Sequence, residues 1–245
     1  MDVSKSTSLI DLYFSKLKEI KGSEIFLKWL KPKNNHEYSW QETTEKILKL
    51  SDKIRKGIDV NDRCLLISEN RPEWLIADLA IMNAGGISVP MFTTYSENDY
   101  KYIVEDCKPS VIVVSNQTQF DKIKKFINSE IKLIISFEKI DYQSLLVEDI
   151  FSQRNFEKKE NINLNRKSVA CIIYTSGTSG SPKGVILSHG GILSNCQGAL
   201  EILDTLTDNE REVFLTWLPL SHSYEHTVQF VQILLGARIF YAESL

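Results

Sequence analysis

The sequence predicts an α/β fold, a mainly parallel sheet flanked by helices, and three observations predict it. Short apolar runs with strand character alternate with helical patterns of about 10–15 residues, the arrangement of βαβ units. No segment repeats at a fixed period, which sets aside solenoids and propellers. Six of the eleven glycines fall between Gly177 and Gly198, so the need for unusual backbone geometry is concentrated in one place.

The elements follow in order. Ser8–Ile20 sets Leu9, Leu12, Tyr13, Leu17 and Ile20 at helical spacing, with Gly22 just beyond as a stop. Ile25–Leu30 and Glu37–Trp40 pair as strands around the polar turn KPKNNH. Ser39 with Glu42 makes a capping box for a helix that Gly57 ends. Cys64–Ser68 is a short buried strand, and Pro72 opens the next helix, where a missing N–H does no harm. Strand Ile87–Val89, helix Glu97–Cys107, strand Val111–Ser115, helix Phe120–Ile127 and strand Leu133–Ser136 come next. Gln153–Lys167 is polar, has no apolar periodicity, and reads as a solvated connector. Strand Val169–Tyr174 and helix His189–Leu203, capped by Ser188, flank a glycine-rich stretch.

Composition narrows the function classes. The chain has 245 residues, enough for one large domain or two small ones. Lys and Arg number 29 against 32 Asp and Glu, a net charge of −3, which argues against a dedicated nucleic-acid binder. No apolar run approaches the ~18 residues of a membrane span, and the start lacks the unbroken apolar stretch of a signal peptide. A cytoplasmic address is the expectation. Cys64, Cys107, Cys171 and Cys196 lie far apart with no C-x-x-C pair, so neither a zinc ribbon nor a disulfide framework is indicated.

The chemistry concentrates in Thr175-Ser176-Gly177-Thr178-Ser179-Gly180-Ser181-Pro182-Lys183-Gly184. Glycines let backbone N–H groups converge on anionic oxygens, Thr and Ser hydroxyls add donors, and Lys183 supplies charge, all of which suits polyphosphate. A Walker loop would place Gly before the lysine and Ser or Thr after it; Pro182 and Gly184 stand there instead. A flexible surface loop would ordinarily lack the leading strand and the embedded Pro-Lys-Gly.

YTSGTSGSPKGVILSH resembles the phosphate-binding signature of the AMP-forming adenylating enzymes, which include acyl-CoA synthetases, luciferases and peptide-synthetase adenylation domains. The opening region from Tyr38 and the stretch ADLAIMNAGGISVPMFTTYS resemble the same family. TWLPLSHSYEHT, Thr216–Thr227, resembles the Leu-Pro-Leu-x-His-x-Phe/Tyr-Glu segment of long-chain fatty acyl-CoA synthetases. The resemblance implies the N-terminal part of an adenylating domain, with residues 1–190 as a first α/β lobe holding the phosphate loop. Residues 191–245 would begin a second, incomplete lobe. It implies ATP, Mg²⁺ and, as co-substrate, CoA: a carboxylate attacks the α-phosphate, and the CoA thiol then displaces AMP. Thr175, Ser176, Gly177, Thr178, Ser179, Gly180 and Lys183 would bind nucleotide, with the Thr175 hydroxyl on magnesium. His222 would stand beside the reacting carboxylate, while Tyr224 and Glu225 would pack the helix. A fatty acid substrate would also allow peripheral membrane contact.

Two alternatives come from other classes. His222-Ser-Tyr-Glu225-His226 spells the H-x-x-E-H signature of a zinc peptidase group, although Glu243 is the only carboxylate in the nineteen residues that follow. A nucleotide-binding module without catalysis is the other, and a ligase for a different carboxylate is the variant within the family. The family's Tyr-Gly-x-Thr-Glu segment, ribose-binding Asp, Arg and mobile-domain lysine have no match here, so the expectation is a fragment inactive by itself. On that view Phe230, Ile233, Leu234, Ile239 and Tyr241 lack packing partners and the chain is poorly soluble.

Overall fold

The computed structural model describes residues 3–31, 36–159, 163–176, 182–203 and 211–242. Eleven strands run through them: β1 (Ile25–Leu30), β2 (His36–Ser39), β3 (Arg63–Ile67), β4 (Ile87–Met91), β5 (Val111–Val114), β6 (Leu133–Ser136), β7 (Leu145–Leu146), β8 (Val169–Ser176), β9 (Pro182–Ser188), β10 (Val213–Thr216) and β11 (Arg238–Ala242). The helices between them are α1 (Leu9–Leu17), α2 (Trp40–Arg55), α3 (Pro72–Ala84), α4 (Glu97–Cys107), α5 (Gln117–Ile123), α6 (Val147–Phe151), α7 (His189–Leu203) and α8 (Ser223–Leu235).

One sheet has seven strands in the order β7-β6-β5-β3-β4-β8-β9, parallel except for the last pair. Its side chains alternate between two cores. Cys64 and Leu66 face α2 and α3, while Leu65 and Ile67 face the side of α4 and α5. All of α3 is buried, as a helix apolar around most of its circumference requires. Pro72 occupies its first turn and Gly85 ends it at φ 90°, a left-handed cap that glycine adopts without strain.

The sheets do not divide at residue 190. The second sheet, ordered β10-β11-β1-β2, takes two strands from the stretch expected in the first lobe and two from beyond it. β11 docks parallel to β1, pairing Trp29 with Tyr241. The residues expected to lack partners therefore have them: Phe230, Ile233, Leu234, Ile239 and Tyr241 are all buried in the larger core. Ile239 and Tyr241 pair with Leu27 and Trp29 of β1, more than two hundred positions upstream, where no local pattern could have shown them.

The local reading holds closely elsewhere. The Ser39–Glu42 capping box is reciprocal, with Glu42 N–H on Ser39 Oγ at 3.2 Å and Ser39 N–H on Glu42 Oε2 at 2.8 Å. Ser188 caps α7 through the Gly191 amide at 3.1 Å. α1 stops at Leu17, before Ile20, because the Lys18 and Glu19 amides turn to carbonyls three residues back and tighten the last turn. The polar connector is anchored more firmly than its composition suggests: Arg166 donates to the carbonyls of Val3 and Ser6, and Arg55 and Asn83 donate to that of Lys159.

Candidate active site

β8 and β9 form an antiparallel hairpin in which Thr175 pairs with Lys183 and Ser176 with Pro182. Pro182, Lys183 and Gly184 thus belong to a strand, not to the loop in which the sequence reading put them. Pro182 is tolerated because it is the first residue of an edge strand, where a missing ladder donor costs nothing. Gly184 lies against the aromatic ring of Tyr174; a Cβ there would come within 3.2 Å of it. Thr175 and Lys183 are both exposed, at the end of this hairpin where β8 leads on to β9. Gly177, Thr178, Ser179, Gly180 and Ser181 lie outside the described residues, as does any account of the Ser176 side chain.

His222 reaches the same place from another direction. Asn70, just after β3, donates to the Leu218 carbonyl at 2.7 Å and accepts from the Leu220 amide at 3.1 Å, holding the Leu-Pro-Leu loop like a bracket. The loop delivers His222 as the N-cap of α8, where its Nδ1 accepts the Tyr224 amide at 3.2 Å. With Nδ1 so occupied, the neutral ring carries its proton on Nε2. The imidazole stands edge-on to Phe92, 6.4 Å between ring centres. Phe92, Tyr95, Thr175, His222 and Ser223 line one cavity of about 280 Å³, outside the carboxyl ends of β4 and β8, where open parallel sheets commonly bind ligands.

A second cavity of about 800 Å³ adjoins it and shares Ile173, Thr175 and Ser223. Val185, Leu187, Ile202, Phe214, Val228 and Val231 make it mostly apolar. Tyr224, expected to pack the helix, is 63% exposed and lines this cavity instead. Glu225 does pack: it is buried, accepts from Gln229 at 3.2 Å, and burial raises its carboxyl pKa.

His226 rules against the zinc reading. It is fully buried, its Nε2 lies 2.9 Å from Asp78 Oδ2 and its Nδ1 3.7 Å from Cys171 Sγ, so both ring nitrogens are engaged. His222 sits at the helix cap with its own Nδ1 occupied, and no group of three or more metal-capable side chains exists among the described residues. His189 is also a core residue, accepting the Leu9 amide at 3.3 Å, and burial lowers its pKa to about 4.

The sequence reading named Thr175 and His222, which line one cavity, and Lys183, which pairs with Thr175 across the hairpin; it did not name Asn70, Phe92 or Tyr95. Asn70 had a local signal, a polar residue between a strand end and Pro72. Phe92 and Tyr95 carried none, since only the sheet order brings the end of β4 beside β8.

A profile of the AMP-binding enzyme family matches residues 19–244. Long chain acyl-CoA synthetase 2 of Arabidopsis thaliana is 30% identical over 225 residues, covering 83% of this chain and 34% of that protein. A long-chain-fatty-acid–CoA ligase of Gallus gallus is 32% identical over 194 residues, covering 73% of this chain and 25% of the other. The structure of ATP-bound MatB from Rhodopseudomonas palustris superposes with a TM-score of 0.80 at 20% identity, over 96% of this chain and 46% of that one. The chain spans between a quarter and a third of the length of these two curated relatives. With the family profile covering nearly its whole length, and the hairpin and His222 loop meeting at one cavity, the chain belongs to the AMP-binding enzyme family.

Proposed function

We propose that these residues are the N-terminal portion of an AMP-forming ligase that activates a long-chain fatty acid with ATP and passes it to CoA. One observation carries the reading: Thr175 and His222 line a small polar-edged cavity that opens onto a larger apolar one. The small cavity suits the reacting carboxylate and α-phosphate, the large one a hydrocarbon chain. A volume near 800 Å³ falls in the range of ligand pockets, and each methylene buried there contributes about 0.8 kcal/mol.

The roles follow from position. Thr175 and Lys183, both exposed, bind the polyphosphate together with Ser176, Gly177, Thr178, Ser179 and Gly180 of the same sequence stretch, and Lys183 offsets charge that builds on the leaving pyrophosphate. His222 presents an Nε2–H donor to the carboxylate oxygens, orienting them for attack in line with the leaving group. Thr175, exposed, would offer its hydroxyl to a magnesium ion, which keeps few protein ligands. Bound there with ATP, magnesium would neutralise charge on the phosphates.

The test is pyrophosphate exchange with palmitate, acetate and benzoate, on residues 1–245 and on a chain extended to the length of the relatives. The extended chain should exchange best with palmitate. Residues 1–245 alone should form no acyl-CoA, because groups for adenine and ribose find no match among them. Equal exchange with acetate would move the reading to another carboxylate. In the extended chain, Lys183→Ala should slow exchange by about 10²–10³-fold while leaving the thermal midpoint unchanged, because an exposed lysine contributes little to folding. Wild-type exchange in that variant would remove Lys183 from the site.

A further inference from the structure

We propose that Asp78 and His226 are positioning residues, whose buried pair fixes the first turn of α8 and thereby the direction in which His222 faces the cleft. His226 lies one helical turn beyond the cap, and its amide donates to the His222 carbonyl at 2.9 Å. Its side chain is tied to two other elements at once: Nε2 to Asp78 of α3 at 2.9 Å, and Nδ1 to Cys171 of β8 at 3.7 Å. The ring is edge-on to Trp74 and Phe230, so it cannot rotate without moving both. Of the residues before it in the helix, Glu225 is also buried, with its carboxylate bonded to Gln229. Ser223 and Tyr224 are exposed, and His222 itself is held through the Tyr224 amide and the edge contact with Phe92.

The chemistry makes a purely stabilising role a poor explanation. A charged pair taken wholly out of water seldom stabilises more than apolar residues of similar volume would. Here the pair is incomplete even on its own terms, because Asp78 Oδ1 has no hydrogen-bond partner among the described residues. What it provides is direction. An apolar contact would let α8 slide or turn by a fraction of a residue, whereas a charge-assisted bond defines one register against α3. A second buried set works one turn further along the same helix: Gln229 donates to Thr216 and accepts from Tyr241, tying α8 to β10 and β11. α8 is therefore keyed to both sheets, and the end that projects into the cleft is the end nearest the Asp78 key. The consequence for His222 is a fixed Nε2–H tautomer, since a loosened cap would release Nδ1 from the Tyr224 amide. Its use in catalysis rests on the function proposed above; the geometry does not.

The test is made on residues 1–245 without substrate, so it stands apart from turnover. In the double variant Asp78→Val/His226→Leu, the thermal midpoint should stay near wild type. The amides of Tyr224 and residue 226 should exchange with solvent at least tenfold faster, while those near Leu234 keep their protection. Nitrogen-15 spectra at a pH where His222 is neutral should show one tautomer in the wild type and an averaged pair in the variant. A folded double variant that keeps wild-type protection and a single tautomer overturns the proposal. Should that variant fail to fold, Asp78→Asn decides: it keeps the shape and removes the charge, and an unchanged His222 signal in it likewise overturns the proposal.

Discussion

Replacing Trp40 with alanine should destabilise the protein by about 3–5 kcal/mol, the usual cost of deleting a buried tryptophan. The indole has no exposed surface and stacks on Phe26 at 3.8 Å and 21°, with Tyr13 on a further stack at 5.6 Å. These three rings come from α2, β1 and α1, so the cavity would open where the small sheet meets the helices. No rearrangement of one element alone can refill it. The indole N–H has no hydrogen-bond partner among the described residues, and removing it returns part of the loss, which favours the lower half of the range. For a chain of this size the thermal midpoint should fall by roughly 6–20 °C. Denaturant titration gives the free energy directly, and a change below about 1 kcal/mol would mean that the rings are not in close contact.

A loss of about 3–5 kcal/mol is also expected for Asp78→Ala, for a different reason: it leaves an imidazolium buried without its counter-charge. Burial alone would lower the His226 pKa, but the Asp78 carboxylate and the neighbouring Cys171, with the hydrogen bonds to both, raise it to about 10. A group whose pKa is higher folded than unfolded stabilises the fold below its unfolded value, here about 6.5, and ceases to do so as pH rises through the folded one. Wild-type stability should thus decline between about pH 6.5 and 10. The decline should flatten in Asp78→Val/His226→Leu, where neither partner can ionise. A single Asp78→Ala variant as stable as wild type at pH 7 would show that His226 is neutral in the core.

Much of the fold was legible because local signals agreed with one another. Helix Glu97–Cys107 and strand Leu133–Ser136 stand where periodicity puts them, and the Ser39 and Ser188 caps have the geometry their residue types imply. β7 and α6 were missed, since two and five residues are too short to show a period. Pro182 and Gly184 hid a strand because both are loop signals unless the strand lies at an edge. The candidate site was half legible: the composition around Thr175 and Lys183 is of the kind that suits an anion. Phe92 and Tyr95 acquire meaning only when β4 is known to lie beside β8.

The small sheet has a consequence for how the protein is made. β1 emerges from the ribosome early, and its neighbour β11 about 200 residues later. At about 5–20 residues per second, Phe26, Leu27 and Trp29 wait roughly 10–40 s before the strand that completes their sheet exists. During that interval β1 has β2 for a partner and one bare edge, a template for other nascent chains on the same message. Overproduction should therefore lose this protein to aggregates more readily at high ribosome density than at low, and slowing initiation should recover it without any change in sequence.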